Sequence, residues 1–244
     1  MSADNTLFSD LNDPRKASNL TITTATYIVS DLHLGNTHFH RDNFLKWLDA
    51  LPEDAHLVLN GDIVDKPEDA LPPDDEAVLE RLIVEAEGRC VTWLHGNHDA
   101  DFVLDRPSKI EFVERWSVED QLLVVHGDQL DGVMPKHGVF KAAFNALHKF
   151  RIRLGFPDVH VAHYAKKWGF LYRVLNEHVT RRAVAAAEAE GFAAITCGHT
   201  HAPMDVTHRG CRYLNTGAWT EEPHHFVTVE DSDISFHVFA SGRA

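Results

Sequence analysis

The sequence predicts an α/β fold whose strands end at a shared ligand site. Short apolar runs typical of β-strands alternate with segments of helical periodicity along most of the 244 residues. Five of these runs stop at a cluster of Asp, Asn, Gly or His residues. Because ligands in open α/β folds bind just beyond the carboxyl ends of the strands, we expect the five clusters to form one site.

The predicted elements follow one another from a mobile N-terminal tail, residues 1–20, into a single domain over residues 21–244. Apolar runs predict strands at residues 21–30, 56–60, 90–94, 121–125 and 193–197. Helical stripes predict helices around residues 39–51, 73–87 and 174–190. The C-terminal part is predicted to be all-β, with strands at residues 206–208, 212–215, 226–229 and 234–239.

The amino-acid composition argues against several classes of protein. The net charge of −14 disfavours general nucleic-acid binding, since nucleic acids are polyanions. Three widely spaced cysteines, Cys90, Cys197 and Cys211, do not suit a disulfide framework and fit a reducing, cytoplasmic location. No apolar run has the roughly 18 residues of a membrane span, and the first residues do not resemble a signal peptide.

The five polar clusters offer ligands for divalent metal ions. They contain carboxylates, an amide and imidazoles but no thiolate, a set that suits Mn²⁺, Fe²⁺, Zn²⁺ or Co²⁺ rather than a structural zinc site. Alternate side chains in Asp-x-His and His-x-His lie on one side of an extended segment, so both can reach one metal centre. A single cluster could be a cap or a turn, but five after successive strands predict a metal site. The clusters are Asp31-Leu32-His33, Gly61-Asp62-Ile63-Val64-Asp65, Gly96-Asn97-His98-Asp99, His126-Gly127-Asp128 and Gly198-His199-Thr200-His201.

These clusters resemble the signature blocks of the calcineurin-like metallophosphoesterase superfamily, over residues 31–201. The resemblance implies a four-layer αββα sandwich of two mixed β-sheets flanked by helices, with a dinuclear metal site. It implies two divalent ions, for which we expect Mn²⁺, with Fe²⁺, Zn²⁺ and Co²⁺ as alternatives. It assigns Asp31, His33 and His201 to one ion, Asn97, His126 and His199 to the other, and Asp62 to a bridge between them.

Such a site suits the hydrolysis of phosphate esters, which repel anionic nucleophiles and have poor leaving groups. Two metal ions about 3.5–4 Å apart clamp the phosphoryl oxygens and lower the pKa of bound water to about 7, so that a bridging hydroxide can attack phosphorus. By the resemblance, His98 faces the substrate, where it could protonate the leaving oxygen, and Asp99 could orient its ring. Asp65 and Asp128 are candidates for carboxylates that support the ligands from behind, although loop capping explains them equally well.

Residues 132–172 predict a helical, lid-like insertion in the long gap between His126 and His199. This segment has a net charge of +6 and contains eight of the 23 aromatic residues. It could be a cap that packs on the body or a dimer contact. It could also be a lid for an anionic substrate with an apolar part, or a peripheral contact with an anionic membrane. The candidate substrate-binding residues are Lys149, Arg151, Arg153, Lys166 and Lys167.

The basic insertion and the segment Thr216-Gly217-Ala218-Trp219 are similar to the bacterial UDP-2,3-diacylglucosamine diphosphatase family of lipid A synthesis. This resemblance implies a lipid-linked nucleotide substrate. One departure is that the best-known branch has Arg at the position of His98. The alternatives are a small-nucleotide phosphodiesterase, a Ser/Thr phosphoprotein phosphatase, and a non-catalytic scaffold of the same fold. The scaffold is disfavoured because every predicted metal position is present.

Overall fold

The computed structural model describes residues 17–19, 25–131 and 169–240, with side chains over residues 25–131 and 176–240. This part of the chain contains two six-stranded sheets. Its α-helices are α1 (Arg41–Asp49), α2 (Pro73–Gly88) and α3 (Gly169–Glu190). A short 3-10 helix covers Asp128–Leu130.

The first sheet has a parallel core. Its strands are β2 (Thr26–Val29), β3 (His56–Asn60), β4 (Val91–Leu94), β5 (Glu111–Val113), β11 (His224–Glu230) and β12 (Asp233–Phe239). Their order is β12-β11-β2-β3-β4-β5. The strands from β2 to β5 are parallel, whereas β11 is antiparallel to both β2 and β12.

The second sheet is also mixed. Its strands are β1 (Ala17–Asn19), β6 (Arg115–Val118), β7 (Leu122–Val124), β8 (Ala194–Cys197), β9 (Met204–His208) and β10 (Cys211–Asn215). Their order is β1-β6-β7-β8-β10-β9. β7, β8 and β10 are parallel to one another, and β6 and β9 are each antiparallel to a neighbour.

Alternating side chains on the strands build three apolar interfaces. In β3, Leu57 and Leu59 pack with α1 and α2, whereas Val58 faces the second sheet. In β8, Ile195 packs beneath α3, whereas Ala194 faces the first sheet. Because successive strand residues point to opposite faces, each sheet is buried on both sides. The predicted four-layer αββα sandwich of two mixed sheets is confirmed.

The structure adds three strands to those that the sequence predicted. β5 and β6 are three and four residues long, and half-exposed β5 lacks a continuous apolar run. Three residues of the segment expected to be a mobile tail form β1, which pairs in parallel with β6. The helix expected to start near Val174 begins at Gly169.

Most of the predicted insertion, residues 132–168, lies outside the described residues, and so do its five basic candidates Lys149, Arg151, Arg153, Lys166 and Lys167. Residues 169–172 of that segment belong to α3. Within the described ranges, no helix is both long and apolar enough to cross a membrane.

Candidate metal centre

The predicted ligands lie just beyond the carboxyl ends of strands from both sheets. Asp31 and His33 follow β2, Asp62 follows β3, Asn97 follows β4, His126 follows β7, and His199 and His201 follow β8. Backbone hydrogen bonds tie adjacent loops together, from Asp31 N–H to Gly61 O (3.0 Å) and from Gly198 N–H to His126 O (2.9 Å). The N–H of His199 donates to the carboxylate of Asp31 at 3.2 Å, which joins the two sheets at the site.

One group of ligand atoms comes from Asp31, His33 and His201, which are all buried. Nε2 of His201 lies 3.1 Å from Oδ1 of Asp31, and Nε2 of His33 lies 3.8 Å from the same oxygen. The two imidazole Nε2 atoms are 3.1 Å apart. One carboxylate and two imidazoles therefore lie around one small volume.

A second group comes from Asp62, His126 and His199, with Asn97 beside them. Nε2 of His126 is buried and makes no hydrogen bond, although Oδ2 of Asp62 lies 3.2 Å away. Nδ1 of His126 is 2.9 Å from the carbonyl oxygen of Asn60, so Nδ1 carries a proton in either protonation state, and Nε2 is the nitrogen that could bind a metal ion once deprotonated. Oδ1 of Asn97 lies 2.8 Å from Nδ1 of His199.

The backbone at the ligands is strained in a consistent way. Asp31, His33, Asp62, His199 and His201 all have positive φ, between 52° and 62°. Few non-glycine residues adopt this region, and such residues concentrate at functional sites. We expected the Asp-x-His and His-x-His segments to be extended, and the positive φ values show that they are not. The alternate side chains of each segment still lie in the site.

Two glycines make room for the ligands. A Cβ on Gly198 would lie 2.2 Å from Oδ2 of Asp31, and a Cβ on Gly96 would lie 2.3 Å from Oδ1 of Asp62. Both distances are shorter than any van der Waals contact. Gly96 and Gly198 are thus required because their backbone approaches the carboxylates of Asp62 and Asp31 closely.

Asp62 and His126 perturb each other's protonation. Burial alone would raise the pKa of Asp62, but the positive charge of His126 outweighs it, and the pKa of Asp62 falls well below its usual value. Burial would likewise lower the pKa of His126, but the Asp62 charge raises it well above its usual value. The ionised Asp62 carboxylate is therefore held against positive charge, the environment that a bound cation also provides.

These residues fit divalent metal ions on three independent observations. Nε2 of His126 is a buried ligand atom without a hydrogen bond. Gly96 and Gly198 leave space for the ligand carboxylates that a side chain would fill. The oxygen and imidazole donors match the preferences of borderline transition metals, with the carboxylates ionised.

The ring of His98 borders the site and is partly exposed, with 29% of its side chain accessible. Its Nδ1 lies 2.9 Å from the carbonyl oxygen of Asp65 and 3.4 Å from that residue's carboxylate. Because a carbonyl oxygen only accepts, Nδ1 carries the proton, and Nε2 is the nitrogen left for a substrate.

Asp99 has different partners from those expected. Its Oδ1 accepts from the backbone N–H of Gly96 (2.7 Å), and its Oδ2 accepts from Ile63 N–H (2.8 Å) and Trp93 Nε1 (3.1 Å). The Asp99 side chain is fully buried. Asp99 therefore fastens the two ligand-bearing loops to each other, and Asp65 holds the ring of His98 in its place.

The two predicted supporting carboxylates differ. Oδ1 of Asp65 lies 2.9 Å from Nδ1 of His33, directly behind a predicted ligand. Asp128 lies in the 3-10 helix, where its Oδ1 is buried without a hydrogen bond and its charge contributes to the raised pKa of His126.

The sequence-based interpretation missed Asp131. Its Oδ2 lies 3.1 Å from Nε2 of His199, the ring nitrogen opposite the one beside Asn97. The Asp131 side chain is almost fully buried, at 2% exposure. A turn after His126-Gly127-Asp128 would return the next acidic residue to the site, which is the signal that could have identified it.

A family model described as calcineurin-like phosphoesterase matches residues 25–203, which is most of the chain. The chain belongs to the calcineurin-like phosphoesterase family. It is therefore a metal-dependent phosphoester hydrolase that uses divalent ions, as the clusters predicted. No functionally curated protein matches the sequence.

Several solved structures are similar to this calcineurin-like phosphoesterase over most of its length. Yfce, a phosphoesterase from E. coli, has 16% identity and a TM-score of 0.44, covering 89% of this chain and 100% of its own. Vacuolar Protein Sorting 29 from Cryptosporidium parvum has 15% identity and a TM-score of 0.43, covering 88% and 96%. A cold-active protein-tyrosine phosphatase from Shewanella has 14% identity and a TM-score of 0.43, covering 92% and 82%. These likenesses are too distant to indicate a substrate.

Proposed function

We propose that this phosphoesterase binds two Mn²⁺ ions and hydrolyses a nucleotide-linked glycolipid pyrophosphate of the UDP-2,3-diacylglucosamine type. The observation that carries the metal assignment is the convergence of two ligand groups from both sheets, one around Asp31 and one around Asp62. The first ion would be held by Asp31, His33 and His201, the second by Asn97, His126 and His199, with Asp62 shared between them.

The chain's own groups act around the metal centre. Divalent ions held by these residues would neutralise phosphoryl oxygens and make water a nucleophile near neutral pH. The backbone carbonyl of Asp65 fixes Nδ1 of His98 so that Nε2 faces the substrate, and the doubly protonated ring would donate its Nε2 proton to the leaving oxygen. Asp99 keeps the loops that carry Asp62 and Asn97 at a fixed separation by accepting hydrogen bonds from their backbone.

The substrate proposal rests on sequence features and on one contact. The insertion, residues 132–172, has a net charge of +6 and is rich in aromatic residues, which suits a ligand with phosphates and acyl chains. The segment Thr216-Gly217-Ala218-Trp219 lies directly behind Asp31, because the N–H of Trp219 donates to the Asp31 carbonyl at 3.0 Å. A cytoplasmic location is proposed with it, since Cys90, Cys197 and Cys211 are free thiols.

A small-nucleotide phosphodiesterase is the second candidate, because His98 stands where the best-known UDP-diacylglucosamine branch has Arg. A substrate panel with Mn²⁺ separates the two candidates, using a phosphomonoester, cyclic and linear diesters, a phosphopeptide and UDP-linked lipids. The proposal expects the highest kcat/KM on the acylated UDP compound, with cleavage at the pyrophosphate. Preference for a cyclic or linear diester would replace it with the second candidate, and activity on the phosphopeptide would indicate a protein phosphatase.

A further inference from the structure

A further cluster of side chains that could bind a metal ion lies apart from the proposed dinuclear centre, where the starts of α1 and β11 meet. His40 directly precedes α1, Glu222 lies just before β11, and His224 is the first residue of β11. One ligand atom from each of the three lies within 4.8 Å of the other two. We infer that His40, Glu222 and His224 form a further binding site for a transition-metal ion, for which Zn²⁺ is the best match.

The distance between the two imidazoles suits one shared ion. Nδ1 of His40 lies 3.1 Å from Nε2 of His224. Two nitrogens bound to one tetrahedral zinc ion at about 2.0–2.1 Å are about 3.3 Å apart, so only a small displacement is needed. Two imidazoles and one carboxylate form a donor set that suits Zn²⁺, with a fourth position open to water beside exposed Glu222.

His224 is fixed as a ligand before an ion binds. It is buried, and its ring stacks on Trp219 with centroids 4.6 Å apart and the planes 6° from parallel. Burial and the neighbouring His40 lower the pKa of His224 to about 4. The stacking on Trp219 holds the ring in place, with Nε2 toward His40.

Asn43 completes the surroundings of the site. Its Nδ2 lies 3.2 Å from Oε1 of Glu222 and 3.2 Å from Nε2 of His224. A half-turn of the amide exchanges Nδ2 for Oδ1. Asn43 can therefore either hold the Glu222 carboxylate by a hydrogen bond or offer its Oδ1 as the fourth ligand of the ion.

An ion at this site would fasten together segments that are distant in sequence. His40 and His224 are 184 positions apart. The N–H of His40 donates to the carbonyl of Trp219 at 2.9 Å, and the N–H of Trp219 donates to the carbonyl of Asp31 at 3.0 Å. The site thus adjoins the strand end that carries a proposed ligand of the dinuclear centre, and zinc binding to the folded state alone would stabilise that region.

The test is a metal count on the full chain. Each protein is equilibrated with Zn²⁺, freed of unbound metal and analysed for zinc, and its melting temperature is measured with and without Zn²⁺. We expect about three zinc ions per chain in the wild type and about two in His40→Gln and Glu222→Gln. His208→Gln, a partly exposed histidine on β9, is the control and should match the wild type. Part of the zinc-induced rise in melting temperature should be lost in the two site variants alone.

Failure of this inference is distinguishable from failure of the proposed dinuclear centre. Equal zinc content and equal thermal shifts in the wild type, His40→Gln and Glu222→Gln would show that His40 and His224 are only a hydrogen-bonded pair. A wild type that binds about one ion, which His40→Gln loses, would support the further site and overturn the dinuclear centre. Both site variants retain polar side chains at partly or fully exposed positions, and their melting temperatures without zinc report whether they fold.

Discussion

The carboxylate of Asp65 lies directly behind His33, with Oδ1 2.9 Å from the ring's Nδ1. The same residue holds His98 through its backbone carbonyl at 2.9 Å. One aspartate therefore orients both a proposed metal ligand and the proposed acid. The rings of His33 and His98 also meet edge to face, with centroids 4.9 Å apart.

This relationship predicts that Asp65→Ala weakens metal binding and turnover together. Carboxylates that hydrogen-bond a ligand histidine fix its orientation and basicity, and their loss typically lowers metal affinity by about 10- to 100-fold. The measurements are Mn²⁺ affinity and kcat across a Mn²⁺ titration. Asp69→Ala, an exposed aspartate in the same loop, is the matched control. Unchanged Mn²⁺ affinity in Asp65→Ala would leave Asp65 as a loop-capping residue.

We expect Asp62→Asn to disturb both ions, because Asp62 is proposed to be shared between them. Metal analysis of protein saturated with Mn²⁺ should find about two ions per chain in the wild type and fewer than one in the variant. His126→Gln should remove one ion and retain the other. If Asp62→Asn also removed only one ion, Asp62 would be a ligand of a single metal, and the bridge would be wrong.

His98→Ala should keep both ions and lose about 10²- to 10⁴-fold in turnover, the usual contribution of one acid–base group. The loss should be larger for a substrate with a poor leaving group than for an activated aryl ester, which needs no proton. Metal content and kcat on the two substrates are the measurements. Loss of metal in this variant would reassign His98 as a ligand.

The positions of the proposed metal ligands were predictable because each one lies within four residues of the end of an apolar strand. Parallel strands end at one edge of a sheet, so the order of strand and polar cluster along the chain locates the site. Asp131 was not predictable in this way, since its contact with His199 depends on the turn of the 3-10 helix. The strands β5 and β6 were also missed, because neither contains the continuous apolar run that identified equally short strands such as β7.

The role of Asp99 was wrong for a related reason. Its place next to His98 in sequence suggested a pair, but the backbone turns its carboxylate toward the N–H groups of Gly96 and Ile63. Neighbours in a loop share no face, so adjacency does not establish contact. The positive φ of Asp31 and Asp62 could not be predicted either. A sequence indicates positive φ mainly where it has a glycine, and these two positions are aspartates.

Gly198→Ala should destabilise the fold and weaken the metal centre. Its Cβ would lie 2.2 Å from Oδ2 of Asp31 and 2.4 Å from Oγ of Ser30, so a proposed ligand must move. Overpacking of this kind costs about 1–3 kcal/mol in unfolding free energy. Gly88→Ala, at the end of α2 with no atom within 4 Å of the added Cβ, is the control and should be neutral or stabilising. Urea denaturation and Mn²⁺ affinity are the measurements, and equal behaviour of the two variants would mean that the loop relaxes without cost.

The basic insertion, residues 132–172, has its charged residues outside the described part of the chain. If Arg151 and Arg153 contact the phosphates of a long substrate, Arg151→Glu with Arg153→Glu should raise KM for an acylated UDP compound. Activity on a small chromogenic ester should stay near normal, because binding energy remote from the metal centre serves only substrates that reach it. Arg209→Glu, at an exposed arginine between β9 and β10, is the control for charge reversal outside the insertion. Equal losses on both substrates would identify the insertion as a structural cap. Unchanged KM and kcat on both substrates would mean that the basic face of the insertion contacts solvent or a second subunit and not the substrate.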